Sequence, residues 1–485
     1  MNDLCDSIPP EERDNKLALV YQNNCENKVA IKTPFGLTDR VDINQIVTQG
    51  GVWGPIQCAN QIDKLGKECL ERNIHLYTYK GGVKIMPLAM IDDILAIALC
   101  GFKSVAVNSF INTKTETKKL IFSDTKCKKL HVGCDNPFCP DLLVHGNVVN
   151  KTSHEKYLGD IVADTITGDG CNEKNISNRR SKGIGIIAQI MSILEAVSLG
   201  HHLFEIAMIL RESIFINGIL FNSEVWYSLT KNQIKKLEDV DKLLLRRFLH
   251  APISTPCEAL YLELGAIPIS FILQARRLMF LHYLLELDRE EMVSQFFYAQ
   301  WHDPCKNDWT VTVQNDLRDY GIQIDLEEIK SMPKNQFKTL VKHKCRTLAF
   351  DHLTKSKLTH SKMSNLNYEE YKMQFYFLDK AFHSGDARML FRFRTRMIHV
   401  KNNYKTMHKD SDRHCPVCKL EVDTQEHLLE CIVLNASRPI AHVDYQAIFG
   451  EEVNKMKLTF NHLKASLSAR EKFISDEKLV SVNSV

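Results

Sequence analysis

The spacing of apolar residues changes between residues 165 and 177. Before this point, apolar residues come in short runs separated by glycine, proline and charged turns, which predicts short strands mixed with helices. From about Ser177 onward they recur at steps of three and four, which is the period of an amphipathic helix. One such set is Ile234, Leu237, Val240, Leu244 and Phe248. The pattern predicts an α+β protein with a largely helical rear.

Changes in apolar pattern and in charge divide the chain into regions. We expect an antiparallel sheet with helices at 1–165, a helical region at 177–290, a basic helical region at 291–406, a small cysteine-bearing module at 407–435 and a helical tail at 436–485.

Two adjacent acids interrupt the apolar run at residues 85–99. Short apolar strands are usually buried, and burying a charge without a partner costs several kcal/mol. Asp92 and Asp93 therefore need either water or a cation. An apolar strand, Asp-Asp and a second apolar strand is the pattern of a β-hairpin that presents carboxylates to Mg²⁺. A plain turn in water is the alternative.

Composition narrows the class of protein. The 485 residues are 44% hydrophobic and 25% charged, which is typical of globular domains. The 15 cysteines are too sparse and irregular for a disulfide scaffold, and the acidic N-terminus lacks the apolar core of a secretory signal. We find no uninterrupted apolar run of ~18 residues and therefore expect no membrane span. A nuclear or cytoplasmic location follows, in which clustered cysteines are metal candidates.

Positive charge is concentrated toward the rear of the chain. The segment from Lys334 to Lys362 contains many lysines and arginines and one acid, Asp351. A second basic set is interleaved with Phe391, Phe393 and Tyr404 and comprises Arg388, Arg392, Arg394, Arg396, Lys401 and Lys405. Cations mixed with aromatic rings are typical of surfaces that bind phosphates and stack bases. A solvated helix face is the alternative for either stretch.

Four potential metal ligands lie close together near residue 420. They form a Cys-x₂-Cys-x₈-His-x₃-Cys array of Cys415, Cys418, His427 and Cys431. Three thiolates and one imidazole make a closed tetrahedral site for Zn²⁺. On a short helix predicted at 424–431, His427 and Cys431 are four residues apart and share one face. Four unrelated buried side chains are the alternative, and His414 is not expected to be a ligand.

Three further segments occur in a definite order around the paired acids. Gln49, Gly50 and Gly51 precede a Trp-Gly-Pro, and glycines there let backbone lie close to a ligand. The acids follow after about forty residues, then Asn112–Thr115 after about twenty more, and Lys-Tyr-Leu-Gly at 156–159 after about forty more. The segments and their order resemble those in the palm of a reverse transcriptase of the non-LTR retrotransposon kind. The segment 423–431 is similar to the zinc-bearing tail that follows the thumb in these proteins.

The resemblance implies a role for individual residues. Asp92 would be the catalytic, Mg²⁺-binding carboxylate, with Asp93 in a supporting place. Gln49, Gly50 and Gly51 would contact template and nucleotide, and the looser candidate Lys114 would meet the leaving pyrophosphate. The partners would be an RNA template and a DNA primer or target, and region 177–290 would be the thumb. Met90-Ile91 departs from the family's aromatic-Ala pair before the acids.

One part of the family pattern is not found. Two-metal transfer needs a further carboxylate, which the family supplies from an Asp-bearing apolar strand upstream of the Gln-Gly-Gly segment. The acids at Asp3, Asp6, Asp14, Asp39 and Asp42 all stand in polar surroundings. We therefore expect the chain to begin after that strand, without the fingers and the first half of the palm. Losing a single preorganised electrostatic group costs ~10²–10³ in rate, so we expect no polymerisation by this polypeptide alone.

Two functions are compatible with the sequence. The first is a truncated reverse transcriptase, an RNA-directed DNA polymerase by family. The second is a non-catalytic, zinc-dependent nucleic-acid-binding protein derived from a retroelement. A purely structural helical protein would leave the cysteine array and the order of the segments unexplained.

Overall fold

The computed structural model describes most of the chain after residue 76 and shorter segments before it. The described ranges are 28–30, 32–33, 36–39, 41–42, 66–69, 71–72, 77–85, 87–90, 93–117, 122–132, 140–164, 168–197, 199–404, 413–436 and 443–482. The chain divides into two compact units. The first consists of 1–155, 162–166 and 287–305, and the second of 156–161, 167–286 and 306–485.

Strands are short and lie in the front of the chain. They are β1 Lys28–Val29, β2 Lys32–Thr33, β3 Gly36–Leu37, β4 Val41–Asp42, β5 Tyr77–Thr78, β6 Lys84–Ile85, β7 Leu88–Met90, β8 Asp93–Leu95, β9 Lys128–Leu130, β10 Leu143–Val144, β11 Asn147–Val148, β12 Asn150–Thr152, β13 His154–Tyr157 and β14 Asp160–Ala163. Within the described ranges every sheet has two strands: β1–β4, β2–β3, β5–β6, β7–β8, β10–β11, β13–β14 and the parallel pair β9–β12.

Helices dominate from residue 168 onward. The helices are α1 Gly101–Thr117, α2 Gly168–Ala196, α3 Leu203–Leu210, α4 Asn217–Ile219, α5 Lys231–Leu249, α6 Cys257–Leu264, α7 Ile269–Glu286, α8 Met292–His302, α9 Trp309–Asp319, α10 Leu326–Ser331, α11 Lys334–Lys357, α12 Ser384–Arg394, α13 His427–Glu430, α14 Ile432–Asn435 and α15 Val453–Val482. A π-helical turn, Arg211–Ile216, joins α3 to α4. The mixture of small sheets and many helices confirms the coarse fold class. The assignment of palm and thumb stays a prediction.

The helix α5 shows how the local sequence sets its bounds. Thr230 and Gln233 form a reciprocal capping box at its start, which satisfies two backbone N–H groups. The helix ends at His250, whose φ of 47° is left-handed. The predicted apolar face is buried at Leu237, Val240, Leu244 and Phe248, while Ile234 is half-buried.

A large apolar core runs through much of the second unit. It joins α2 and α5 to α6, the start of α7 and α12, and it extends to the cysteine-bearing segment and to α15. Residues of the segment and of α15 that belong to it include Cys415, Leu428, Cys431 and Phe460. Each predicted region from 177 onward therefore contributes residues to this core, although buried residues of α9 and α10, such as Leu317 and Ile329, are not part of it.

No single helix in the described ranges combines the length and apolar character needed to cross a bilayer. The helices α6 and α7 meet the composition test only as a pair bent by 58°.

Candidate metal centre

The first two cysteines lie on a tight backbone ribbon. The N–H of Cys415 donates to the carbonyl of Glu421 at 2.7 Å, and the N–H of Asp423 donates to the carbonyl of Arg413 at 2.8 Å. Between them the chain turns back through Lys419, whose φ of 58° is left-handed and whose N–H donates to the carbonyl of Cys415. This turn brings the thiols of Cys415 and Cys418 to the same side of the ribbon.

The other two ligands come from a short helix. Thr424 caps it, because its hydroxyl accepts from the N–H of His427 at 3.0 Å. The N–H of Cys431 donates to the carbonyl of His427 at 2.7 Å, which places these two residues one turn apart. The helix begins at His427, three residues after the predicted start, with Glu426 at its N-cap position.

The four ligand atoms converge. The sulfurs of Cys415, Cys418 and Cys431 and a ring nitrogen of His427 all lie within 4.8 Å of one another. The Sγ of Cys418 is 3.3 Å from Nε2 of His427. Ligands of a tetrahedral zinc ion at ~2.3 Å stand about 3.8 Å apart, so the cluster fits such an ion. These residues could hold a metal such as zinc.

The cluster is shielded from water. Cys415, His427 and Cys431 are at most 6% exposed, and Cys418 is half-buried. Burial raises the pKa of the Cys415 thiol to about 11. Burial acts in the same sense on Cys418, but backbone N–H groups of Glu421 and Leu420 offset it and lower the pKa of that thiol to about 6. Four protein ligands leave no coordination position open to water or substrate, which is typical of a structural rather than a catalytic zinc site.

Two residues just before His427 anchor the module to the core. The carboxylate of Asp423, fully buried, accepts from Nε and Nη2 of Arg470 at 3.2 and 2.5 Å and from the N–H of Lys401 at 2.8 Å. The amide of Gln425 donates to the carbonyl of Phe393 at 2.8 Å and accepts from Asn403 at 2.8 Å. Sequence reasoning missed both anchors. The sequence pattern that could have indicated them is an acid and an amide two residues apart, directly before a metal-ligand candidate.

The structure separates the members of the predicted basic set. Arg394 is 2% exposed, and its Nε donates to a carboxylate oxygen of Glu263 at 3.2 Å. The rings of Phe391 and Phe393 are fully buried. These three residues therefore belong to the core and present nothing to a phosphate or a base, which corrects the expected surface at Arg394.

The other cations of this set that the structure describes are partly exposed. Arg388 and Arg392 donate to the carbonyls of Phe248 and His250 at the end of α5. The guanidinium of Arg396 lies 2.6 Å from a carboxylate oxygen of Glu426. Lys401 is half-buried, and Lys405 lies outside the described residues.

A hairpin stands at the predicted position of the paired acids. Strands β7 and β8 are antiparallel, with Met90 opposite Asp93. Asp93 is exposed, whereas Asp92, Gln49, Gly50 and Gly51 lie outside the described residues. The Mg²⁺ roles assigned to the two acids stay predictions.

Lys114 does not lie in a turn. It is in the last turn of α1, and its Nζ pairs with the carboxylate of Glu68. The segment 112–115, one of the segments on which the resemblance is based, is therefore helical. The contact of Lys114 with pyrophosphate stays a prediction.

Comparison with protein-family models and with curated proteins gives no match for this chain.

Proposed function

We propose that the second unit is a zinc-stabilised nucleic-acid-binding domain, and that the chain derives from a non-LTR reverse transcriptase. The convergence of Cys415, Cys418, His427 and Cys431 carries the proposal. It supports a structural zinc site in the segment for which the resemblance implies one. RNA or DNA is the proposed partner.

The helix α11 supports the choice of partner. Its inward stripe is apolar and buried, and consists of Phe337, Val341, Cys345, Ala349 and Leu353. A face that flanks this stripe exposes a row of lysines, Lys334, Lys338 and Lys342. In the described part of the chain, none of these three has a carboxylate within 4 Å, since no ion pair involves them. A row of unneutralised cations on a rigid helix suits a line of phosphates.

The salt dependence of oligonucleotide binding tests the proposal. Each phosphate contact contributes about 0.9 to the slope of log K against log salt for duplex DNA. Replacing Lys338 and Lys342 by Gln should reduce the slope by about two. Lys457→Gln, an exposed lysine of α15, is the matched control and should leave the slope unchanged. A flat salt response of the wild-type chain would exclude nucleic acid as the partner.

Polymerisation is the activity that the resemblance implies for intact members of the family, and the hairpin β7–β8 lies at the paired acids. We propose that this chain alone lacks that activity, because the sequence shows no upstream carboxylate strand for the second metal. A primer-extension assay with Mg²⁺ or Mn²⁺ tests this. Product that disappears on Asp92→Ala would overturn the proposal, whereas no product supports it.

A further inference from the structure

A groove of about 550 Å³ lies in the second unit, away from the cysteine cluster. Its walls are the loop that leads from α5 to α6, the first residues of α6 and the segment 359–362. The charged or polar residues that line it include Arg246, Thr255, Cys257, Glu258, His360 and Lys362.

Two cations of the groove lack an acidic partner. Arg246 donates through Nη2 to the carbonyl of Thr255 at 3.3 Å, but its buried Nε has no hydrogen-bond partner. The Nζ of Lys362 lies 4.0 Å from the sulfur of Met397 and 5.4 Å from the centre of the Tyr404 ring. Among the described residues no carboxylate comes within 4 Å of either cation. Burial lowers the pKa of Lys362, which is the direction expected of a partly desolvated ammonium.

A buried hydroxyl also has no partner there. Thr255 is 2% exposed and lines the groove, and its Oγ1 makes no hydrogen bond in the described structure. A buried polar group without a partner costs free energy, so such a group in a native protein calls for a ligand or an ordered water. The Nε of Arg246, another residue that lines the groove, is also buried and without a partner. Two residues of the groove thus carry an unsatisfied donor.

The start of α6 adds backbone donors. The helix begins at Cys257 after Pro256, with no side-chain cap, and a helix N-terminus favours an anion. The one acid of the groove, Glu258, is partly engaged. Its Oε1 accepts from the hydroxyl of Ser356 at 2.6 Å, and its Oε2, which is buried and makes no hydrogen bond, lies 3.1 Å from Nε2 of His360. Arg246 and Lys362 together outweigh this single carboxylate, so the charge of the groove favours an anion.

We propose that this groove binds a phosphate group, held by Arg246, Lys362, the hydroxyl of Thr255 and the start of α6. We assign this phosphate to the backbone of a bound nucleic acid, and this assignment rests on the proposed function. This makes the groove a second contact region besides the lysine row of α11.

The thiol of Cys257 gives a local readout, because it is half-buried in the groove. Zinc-loaded full-length chain is treated with iodoacetamide, and modification of Cys257 is followed by mass spectrometry with inorganic phosphate or with a short single-stranded oligonucleotide. We expect both to slow modification of Cys257. Lys362→Gln should weaken this protection about tenfold, since it removes a charge-assisted hydrogen bond. Lys355→Gln, an exposed lysine outside the groove, should leave it unchanged.

A second variant separates binding from folding. Thr255→Val keeps the shape of the side chain and removes the unpaired hydroxyl. We expect weaker protection by phosphate with no fall in melting temperature, because no intramolecular hydrogen bond of that hydroxyl is lost. Unchanged protection together with a lower melting temperature would give Thr255 a purely structural role and overturn its place in the site.

The outcomes distinguish this inference from the proposed function. If the oligonucleotide binds but neither probe protects Cys257, the groove assignment fails and the proposed function stands. If phosphate protects and the oligonucleotide binds without protecting, the assignment to a nucleic-acid backbone fails. If phosphate protects and the oligonucleotide does not bind at all, the proposed function fails and the phosphate site stands.

Discussion

At the scale of single residues, Glu263 organises the interior of the second unit. It is fully buried and accepts from the hydroxyls of Tyr368 and Tyr376 at 2.9 and 2.7 Å and from Arg394 at 3.2 Å. Arg394 also donates to the carbonyl of Ile448 at 2.7 Å. The carboxylate thus ties α6 to α12 and to the segment before α15.

Removing the arginine should leave this carboxylate without its charge partner. We predict that Arg394→Gln lowers the free energy of unfolding of the second unit by about 3–5 kcal/mol, the usual cost of breaking a buried pair. Arg247→Gln, at an exposed position of α5, should change it by less than about 0.5 kcal/mol. Urea unfolding measures both. Equal costs would contradict the structural role of Arg394.

The residue scale also shows the reach of sequence reasoning. The four ligands could be predicted because their spacing is local and thiolates and imidazole have a definite metal chemistry. The burial of Arg394 could not, because its partner Glu263 is 131 residues away in the chain. A stretch of alternating basic and aromatic residues has the same sequence pattern whether its rings stack on bases or pack in a core.

At the scale of elements, the end of α6 depends on a close approach of two backbones. Gly265 has a φ of 63°, and a Cβ there would lie 2.6 Å from the backbone nitrogen of Met373. Leu264 and Met373 form a β-bridge at this point. The neighbouring atoms are backbone and cannot move aside cheaply.

A pair of glycine substitutions tests this packing. We predict that Gly265→Ala destabilises the second unit by about 1–3 kcal/mol, because the left-handed backbone and the contact both resist a side chain. Gly185→Ala lies in the interior of α2 with nothing within 4 Å of the added Cβ, and should stabilise it by about 0.5–1 kcal/mol. Thermal unfolding followed by circular dichroism measures both. A neutral Gly265→Ala would mean that the two segments do not approach as described.

Element boundaries divide into those that local sequence sets and those that it does not. The start of α5 at Thr230 follows from its capping box, and the hairpin β7–β8 follows from acids between apolar runs. No comparable signal sets the bounds of α1, because its many β-branched and polar residues are equally compatible with strands and turns. Palm and thumb are arrangements of many elements, and no local pattern specifies them.

At the scale of the whole molecule, the cysteine-bearing module is continuous with the core of the second unit. Cys415, Leu428 and Cys431 pack in the same cluster as residues of α12 and α15. The ion pair of Asp423 and Arg470 joins the module to α15. Loss of a metal from the cluster should therefore destabilise the fold beyond residues 413–436.

Metal removal tests this continuity. Structural zinc contributes about 10–16 kcal/mol to the folding of small zinc modules. We predict that a chelator, or Cys431→Ala, lowers the melting temperature of the second unit as a whole. Cys345→Ala is the matched control, because this buried cysteine of α11 is not a ligand. It should keep one zinc per chain, whereas Cys431→Ala should lose it. Melting confined to 413–436, seen by hydrogen exchange, would contradict a shared core.

The most direct test of the account is the affinity of the full-length chain for a short oligonucleotide, measured at one salt concentration with zinc bound and after its removal, without Mg²⁺. We predict tight binding with zinc, a loss of at least tenfold on its removal, and recovery when zinc alone is restored. Equal affinity in the two states would contradict a zinc-stabilised nucleic-acid-binding domain.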